Sequence, residues 1–206
     1  YLPWLKNTGI PVSRDGKLKI RSTHLNETGN QFELIYNSES LAVGVGCERG
    51  TSVNELILLV QTTLENNNLS KESVAVFVSI EQKMDEIAIN AIADFFNKPL
   101  RFFDSVTLEE ETPRLKNPSE IVFREVGSHG VAEASALAAV GRHGELIVEK
   151  TKSRRATCAI AKTKTLIDPN SIGKARGILS VVGLGPGKAE WLTPCLLYTS
   201  PSPRDE

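Results

Sequence analysis

Four clusters of polar residues in this sequence have types and spacings that could do chemistry. Cys47, Glu48 and Arg49 stand between a short apolar run and a helix start, with Gly50 and Thr51 completing the turn. Lys83 and Glu86 follow a second apolar run, and Ser128 and His129, with Gly127, Gly130 and Glu133 around them, precede a strongly helical segment. A fourth stretch carries Lys150, Lys152, Arg154, Arg155, Lys162 and Lys164 beside the single acid Glu149. Arg49 and Lys83 suit substrate carboxylates, the guanidinium in bidentate fashion. Backbone amides at the start of the Ser128 segment could hold an anion or a developing oxyanion. His129, Glu48, Glu86 and Glu133 are candidate general bases.

Each of these residues also has a plainer role. Glu86 and Glu133 can simply match the dipole of a helix start. His129 can be a polar residue near an N-cap, and Cys47 a buried thiol packed as a small hydrophobe. No His or Asp is near Cys47 in sequence to form a dyad. The basic stretch is either a solvated loop or a lid for a polyanionic ligand. Nucleic acid fits less well, because the net charge is −1 and no aromatic platform accompanies the patch.

These clusters need elements that bring them together. Leu41 to Val45 reads as a buried strand, too brief and too β-branched for a buried helix. Gly44, Gly46 and Gly50 allow bends and close approach there. Ser52 and Glu55 are spaced as a capping box. Val53, Leu56, Ile57, Val60 and Leu64 then form a helical apolar stripe, ended by Asn66 to Asn68. Val74 to Ile80 is a near-continuous apolar strand of the kind covered on both faces. A helix with Met84, Ile87, Ala88, Ala91, Ile92 and Phe95 in register follows. After it come a strand from Leu100 to Phe103 and a short acidic helix from Thr107 to Glu111.

A strand at Ile121 to Phe123 leads to the Ser128 loop, and the run from Val131 is a helix closed by Gly141. Strands at 146–148 and 156–161 flank the basic loop from Lys150 to Arg155 and can form a hairpin. The alternation across 41–161 predicts an α/β three-layer sandwich with a mainly parallel sheet and helices on both faces. In such a sheet three loops at three strand ends would open on one edge and line one cleft.

The 206 residues are 40% hydrophobic and 24% charged, an ordinary soluble composition. No window has the apolar length of a membrane span, and no signal segment opens the chain. Three widely spaced cysteines argue against a disulfide framework or a metal site and fit a reducing cytoplasm. Tyr1 in place of Met suggests that 1–40 is the end of a preceding domain and its connection. The main domain is expected at 41–165 and a linker at 166–177. At 178–194 a strand and the loop Gly183, Gly185, Pro186 and Gly187 open another domain, and 195–206 is an aperiodic tail.

Taken together, GVGCERGTS at 44–52, KMDE at 83–86, GSHGVAEASAL at 127–137 and ATCAIA at 156–161 resemble the C-terminal domain of the cobalamin biosynthesis protein G family. Glu48 departs from that pattern, where Arg often follows the Cys. The resemblance implies a cobalt-precorrin-5A hydrolase that opens the ring A δ-lactone and releases acetaldehyde. Its partner would be an anionic cobalt-corrinoid precursor, with other corrin-pathway enzymes as possible contacts and no cofactor of its own. It implies His129, Glu86 or Glu133 as base and the Gly127 to Gly130 amides as oxyanion site. Cys47 to Thr51, Lys83, Lys150 and Arg155 would contact substrate, with Arg49, Lys83, Lys150 and Arg155 clamping its carboxylates. The alternative is a non-catalytic module that holds or hands on the tetrapyrrole. ILSVVGLGPGKAEWLTP at 178–194 is similar to the opening of tetrapyrrole methyltransferases, which implies S-adenosylmethionine at the Gly183–Gly187 loop of a complete domain. CLLYTSPSPRD at 195–205 is similar to a translated sequencing adapter.

Overall fold

The structure of the protein is a computed structural model that describes residues 5, 8, 9, 11–13 and 16–177. The chain divides into two compact units, Tyr1–Arg176 and Gly177–Glu206, and the first is described below. The expectations for 178–194 and 195–206, including the cofactor loop Gly183, Gly185, Pro186 and Gly187, lie outside the described residues.

In chain order the elements begin with β1 (Lys19–Thr23), β2 (Glu33–Asn37) and β3 (Leu41–Cys47). Next come α1 (Val53–Asn66), β4 (Val74–Ile80), α2 (Ile87–Phe96), β5 (Leu100–Phe103) and α3 (Ser105–Glu110). The short α4 (Glu120–Val126), then α5 (Ala132–Val140), β6 (Glu145–Lys152) and β7 (Ala156–Lys162) complete the set. β1 and β2 pair in parallel with each other, outside the main sheet. The other five strands form one sheet in the order β5-β4-β3-β7-β6.

The centre of that sheet follows from its composition. Every residue of β4 is buried, and so are the first six of β3. Leu41, Val43 and Val45 pack with Leu56 and Val60 of α1 and Ile89 and Ile92 of α2. Ala42, Val76, Val78 and Ile80 belong to a second cluster with Leu108 of α3 and Leu137 of α5. Helices therefore flank both faces. Each large apolar side chain buried this way contributes roughly 1.5–3 kcal/mol. Gly44 is what lets α5 approach: a Cβ there would lie 1.9 Å from the Ala132 carbonyl oxygen, so no larger residue fits.

Four expectations are corrected. The sheet is mixed and not mainly parallel: β3–β4 and β4–β5 are parallel, while β3–β7 and β7–β6 are antiparallel. A helical crossover returns a strand in parallel, but β6 turns directly into β7 within three residues, which forces reversal. The expected strand at 121–123 is α4, whose Ile121, Val122 and Val126 are spaced for a helix. The second helix starts at Ile87, behind a 3-10 turn at Glu81–Lys83. Ser52 is the N-cap residue of α1 without a side-chain capping bond: Glu55 N donates to the Ser52 carbonyl at 3.1 Å, and the Glu55 carboxylate that would complete a capping box is engaged elsewhere.

Candidate functional site

The turn after β3 is held from several directions. Thr51 Oγ1 donates to the Glu48 carbonyl at 2.7 Å, and the buried Glu86 carboxylate accepts from Gly50 N at 3.1 Å. Gly50 has φ +69°, the left-handed region that favours glycine. Arg155 wraps the turn: Nε donates to Glu48 at 2.9 Å, and its terminal nitrogens donate to the carbonyls of Gly50 at 3.1 Å and Arg49 at 2.6 Å. Arg49 reaches the other way, to Asp85 at 2.7 and 2.8 Å and to the Gln82 carbonyl at 3.0 Å. Both arginines expected to clamp substrate therefore hold the protein itself.

The β6–β7 hairpin is pinned by two carboxylates. Glu55 accepts from Ser153 Oγ at 2.6 Å and from Arg155 N at 2.7 Å, which is why it does not cap its own helix. Glu133, fully buried on α5, accepts from Lys116 N, Asn117 N, Asn117 Nδ2 and Lys150 N at 2.8–3.0 Å. Burial opposes its charge, but these four donors outweigh it and hold the carboxyl below the ordinary value. That is the opposite of a group poised as a base. Lys150 Nζ donates to the Asn117 carbonyl at 2.6 Å, and burial, with Lys152 nearby, lowers its pKa.

A cleft of about 390 Å³ opens between these pieces. Of the residues expected at the site, Cys47, Glu48, Lys83, Gly130, Lys150 and Arg155 line it. Cys47 is half-buried; burial, and then Glu86, push its thiol pKa up, so it is a poor nucleophile. Glu86, Glu133, His129, Arg49, Gly50, Thr51, Gly127 and Ser128 are not among the lining residues. The His129 ring stacks on Phe123 at 4.4 Å, and its Nδ1 lies 2.9 Å from Glu109. Its backbone N–H also donates to Glu109, and Gly127 N and Gly130 N donate to Phe123 O and Ser128 Oγ. Three of the four amides expected as an oxyanion site are thus already engaged.

The cleft also brings in residues that no motif marks. Ile121, Val122 and Glu125 of α4 line it, as do Lys152 and Arg154 of the hairpin. In the sequence, Lys152 and Arg154 stand out only as members of the basic patch. The α4 residues are hidden when 121–123 is read as a strand, although the 121, 122, 125, 126 spacing is a helical signal. Among the described residues, the side chains of Lys83, Lys152, Arg154 and Glu125 make no hydrogen bond or ion pair. No group of three or more His, Cys, Asp and Glu residues suited to a metal ion occurs among the described residues. The arrangement can neutralise several carboxylates at once beside an apolar surface.

Residues 41–161 match the family described as Cobalamin synthesis G C-terminus. The chain is 41% identical over 138 residues to Protein CobE of a Sinorhizobium species, covering 67% of this chain and 90% of that protein. It is 30% identical over 128 residues to Cobalt-precorrin-5A hydrolase of Priestia megaterium, covering 62% of this chain and 33% of the hydrolase. The chain thus spans about one third of that longer relative. The crystal structure of CobE, a protein from the cobalamin biosynthetic pathway, is similar with a TM-score of 0.57 at 34% identity, covering 66% of this chain and 97% of that one. A cobalamin biosynthesis protein G homolog from Sulfolobus solfataricus gives 0.51 at 26% identity, over 72% of this chain and 51% of the other.

Proposed function

We propose a function on the premise that these matches supply: this chain belongs to the cobalamin synthesis G C-terminus family, and so to cobalamin biosynthesis. Its cleft holds an anionic cobalt-corrinoid precursor. The chain forms part of a cobalt-precorrin-5A hydrolase that opens the ring A lactone and releases acetaldehyde. The observation that supports this most is the trio Lys83, Lys152 and Arg154, three cations around one cleft whose side chains make no hydrogen bond or ion pair among the described residues. One unpaired surface cation is ordinary; three at one cleft, where Arg49, Arg155 and Lys150 are all engaged, suit a polycarboxylate.

The chemistry requires water to add to the lactone carbonyl while a base takes its proton. The acyl C–O bond then breaks, leaving a carboxylate and, after protonation, an alcohol. Loss of the alcohol proton lets its carbon become the acetaldehyde carbonyl as the C–C bond breaks, the electron pair passing to the macrocycle. Glu125 is the proposed base, since the other lining carboxylate, Glu48, is tied to Arg155. Lys83 and Arg154 oppose the charge that develops on oxygen. The cobalt belongs to the substrate.

A second reading is favoured by the engagement of Glu86, His129 and Glu133 in the scaffold: the domain holds and hands on the corrinoid without converting it. Incubating the full chain with cobalt-precorrin-5A separates the two. Acetaldehyde release that is lost in Glu125→Gln supports the hydrolase, and saturable binding without release supports the holding module. Absence of binding contradicts both. The same proposal puts the protein in the cytoplasm among other corrin-pathway enzymes; among the described residues no helix is long and apolar enough to cross a membrane. It also has residues 178–194 open a methyltransferase domain that would take S-adenosylmethionine when complete.

A further inference from the structure

α4 is unusual among the helices of this unit. It carries Ile121, Val122, Phe123 and Val126 within seven residues, yet none of its residues is buried. Ile121 is 69% exposed. Phe123 is accounted for by its stacking on His129. Val126 is half-buried against the second core cluster, whereas Ile121 and Val122 belong to neither core cluster, and all three line the cleft. The neighbouring apolar wall continues through Val131 and Ala132. The cationic part of the same wall is Lys83, Lys152 and Arg154. An aliphatic pair left at the surface beside cations without ion pairs is the kind of patch that an amphipathic ligand covers.

We infer that Ile121 and Val122 are specificity-determining residues: they form an apolar platform for the flat face of a macrocyclic polycarboxylate whose carboxylates reach Lys83, Lys152 and Arg154. This rests on the cleft reading above and adds a selection rule to it. A small polycarboxylate can satisfy the cations but has nothing to lay on α4. A macrocycle with carboxylate arms satisfies both, so the platform discriminates by the apolar area it covers. The cleft, at about 390 Å³, also sits at the low end for drug-sized ligands. It would therefore take one edge of a tetrapyrrole, with α4 as the surface along which the remainder lies.

The test uses the full chain and two probes, uroporphyrin as the macrocyclic polycarboxylate and citrate as the small one. Ile121→Ser with Val122→Ser should weaken uroporphyrin binding roughly ten- to a hundredfold, in keeping with loss of two aliphatic contacts. Citrate binding should stay within about twofold. Lys152→Glu with Arg154→Glu should weaken both probes. Because these side chains are at the surface, unchanged melting curves exclude unfolding as the cause. Unchanged uroporphyrin affinity in the serine variant overturns the platform while leaving the cleft reading intact. If neither probe responds to the charge reversal, the cleft reading itself fails. If citrate weakens as much as uroporphyrin in the serine variant, α4 has no role in selection.

Discussion

Replacing Glu133 should reveal that it is an anchor and not a base. Glu133→Ala removes the acceptor of three backbone N–H groups, on Lys116, Asn117 and Lys150, and of the Asn117 side-chain amide. A buried donor left without a partner costs about 1–3 kcal/mol. The Asn117 amide can turn toward solvent, so the three backbone groups set the loss. The adjoining cleft admits water, so the low end applies to each, giving about 3 kcal/mol in all. For a unit of this size that is a fall in Tm of roughly 6–12 °C, measured by calorimetry at pH 7. Glu133→Gln keeps one acceptor oxygen but turns an amide donor toward two other donors, so it should fall between wild type and Ala. The folded carboxyl lies below its ordinary value, since the four donors outweigh burial. Its stabilisation is therefore fully present above the unfolded value of 4.5 and is lost as pH falls through the lower folded value. The gap between wild type and Ala should thus persist down to about pH 5 and shrink only in stronger acid. A gap that closes between pH 7 and 5 would mean a raised pKa, the signature of a base. A loss below about 1 kcal/mol at pH 7 would refute the anchoring role altogether.

Three further outcomes follow from local geometry. Gly44→Ala drives a Cβ into the Ala132 carbonyl and should destabilise by about 3 kcal/mol or more. Gly50→Ala has open space and only the strain of its positive φ, so chemical denaturation should show about 1–2 kcal/mol. Iodoacetamide followed by peptide mapping should modify Cys47 slowly in the native protein. It should reach Cys158, whose thiol burial pushes up to about 12, only on unfolding. Fast native labelling at Cys158 would contradict the burial of β7.

Most of the scaffold could be read from the sequence because burial is written in residue type. The runs LAVGVGC and VAVFVSI have few options other than buried strands, and Gly44 announced a close approach. What could not be read was partnership. The short basic connection already allowed a β6–β7 hairpin, which forms, but nothing in ATCAIAK states that its other edge pairs antiparallel with β3. Ile121–Phe123 looked strand-like because three apolar residues in a row fit either period, and only Val126 and Glu125 tipped the balance to a helix. Of the expected site residues, Cys47, Glu48, Lys83, Gly130, Lys150 and Arg155 line one cleft, yet side-chain pairing, which spacing does not show, decides which cations there are without an ion pair. Arg49 and Arg155 carry the right chemistry for carboxylates and spend it on Asp85 and Glu48. Glu55 looked like a cap and instead reaches across to Ser153, 98 residues away. Such long-range bonds have no signature in local spacing.

The central claim is that Lys83, Lys152 and Arg154 bind the carboxylates of an anionic corrinoid precursor, while the paired Arg49 and Arg155 do not. The most direct test measures the affinity of the full chain for cobalt-precorrin-5A across a salt series, in wild type and in Lys152→Glu with Arg154→Glu. The expected result is at least a roughly tenfold weakening with a flatter dependence on salt, since two screened charge contacts are lost. An affinity and a salt slope equal to wild type would contradict it.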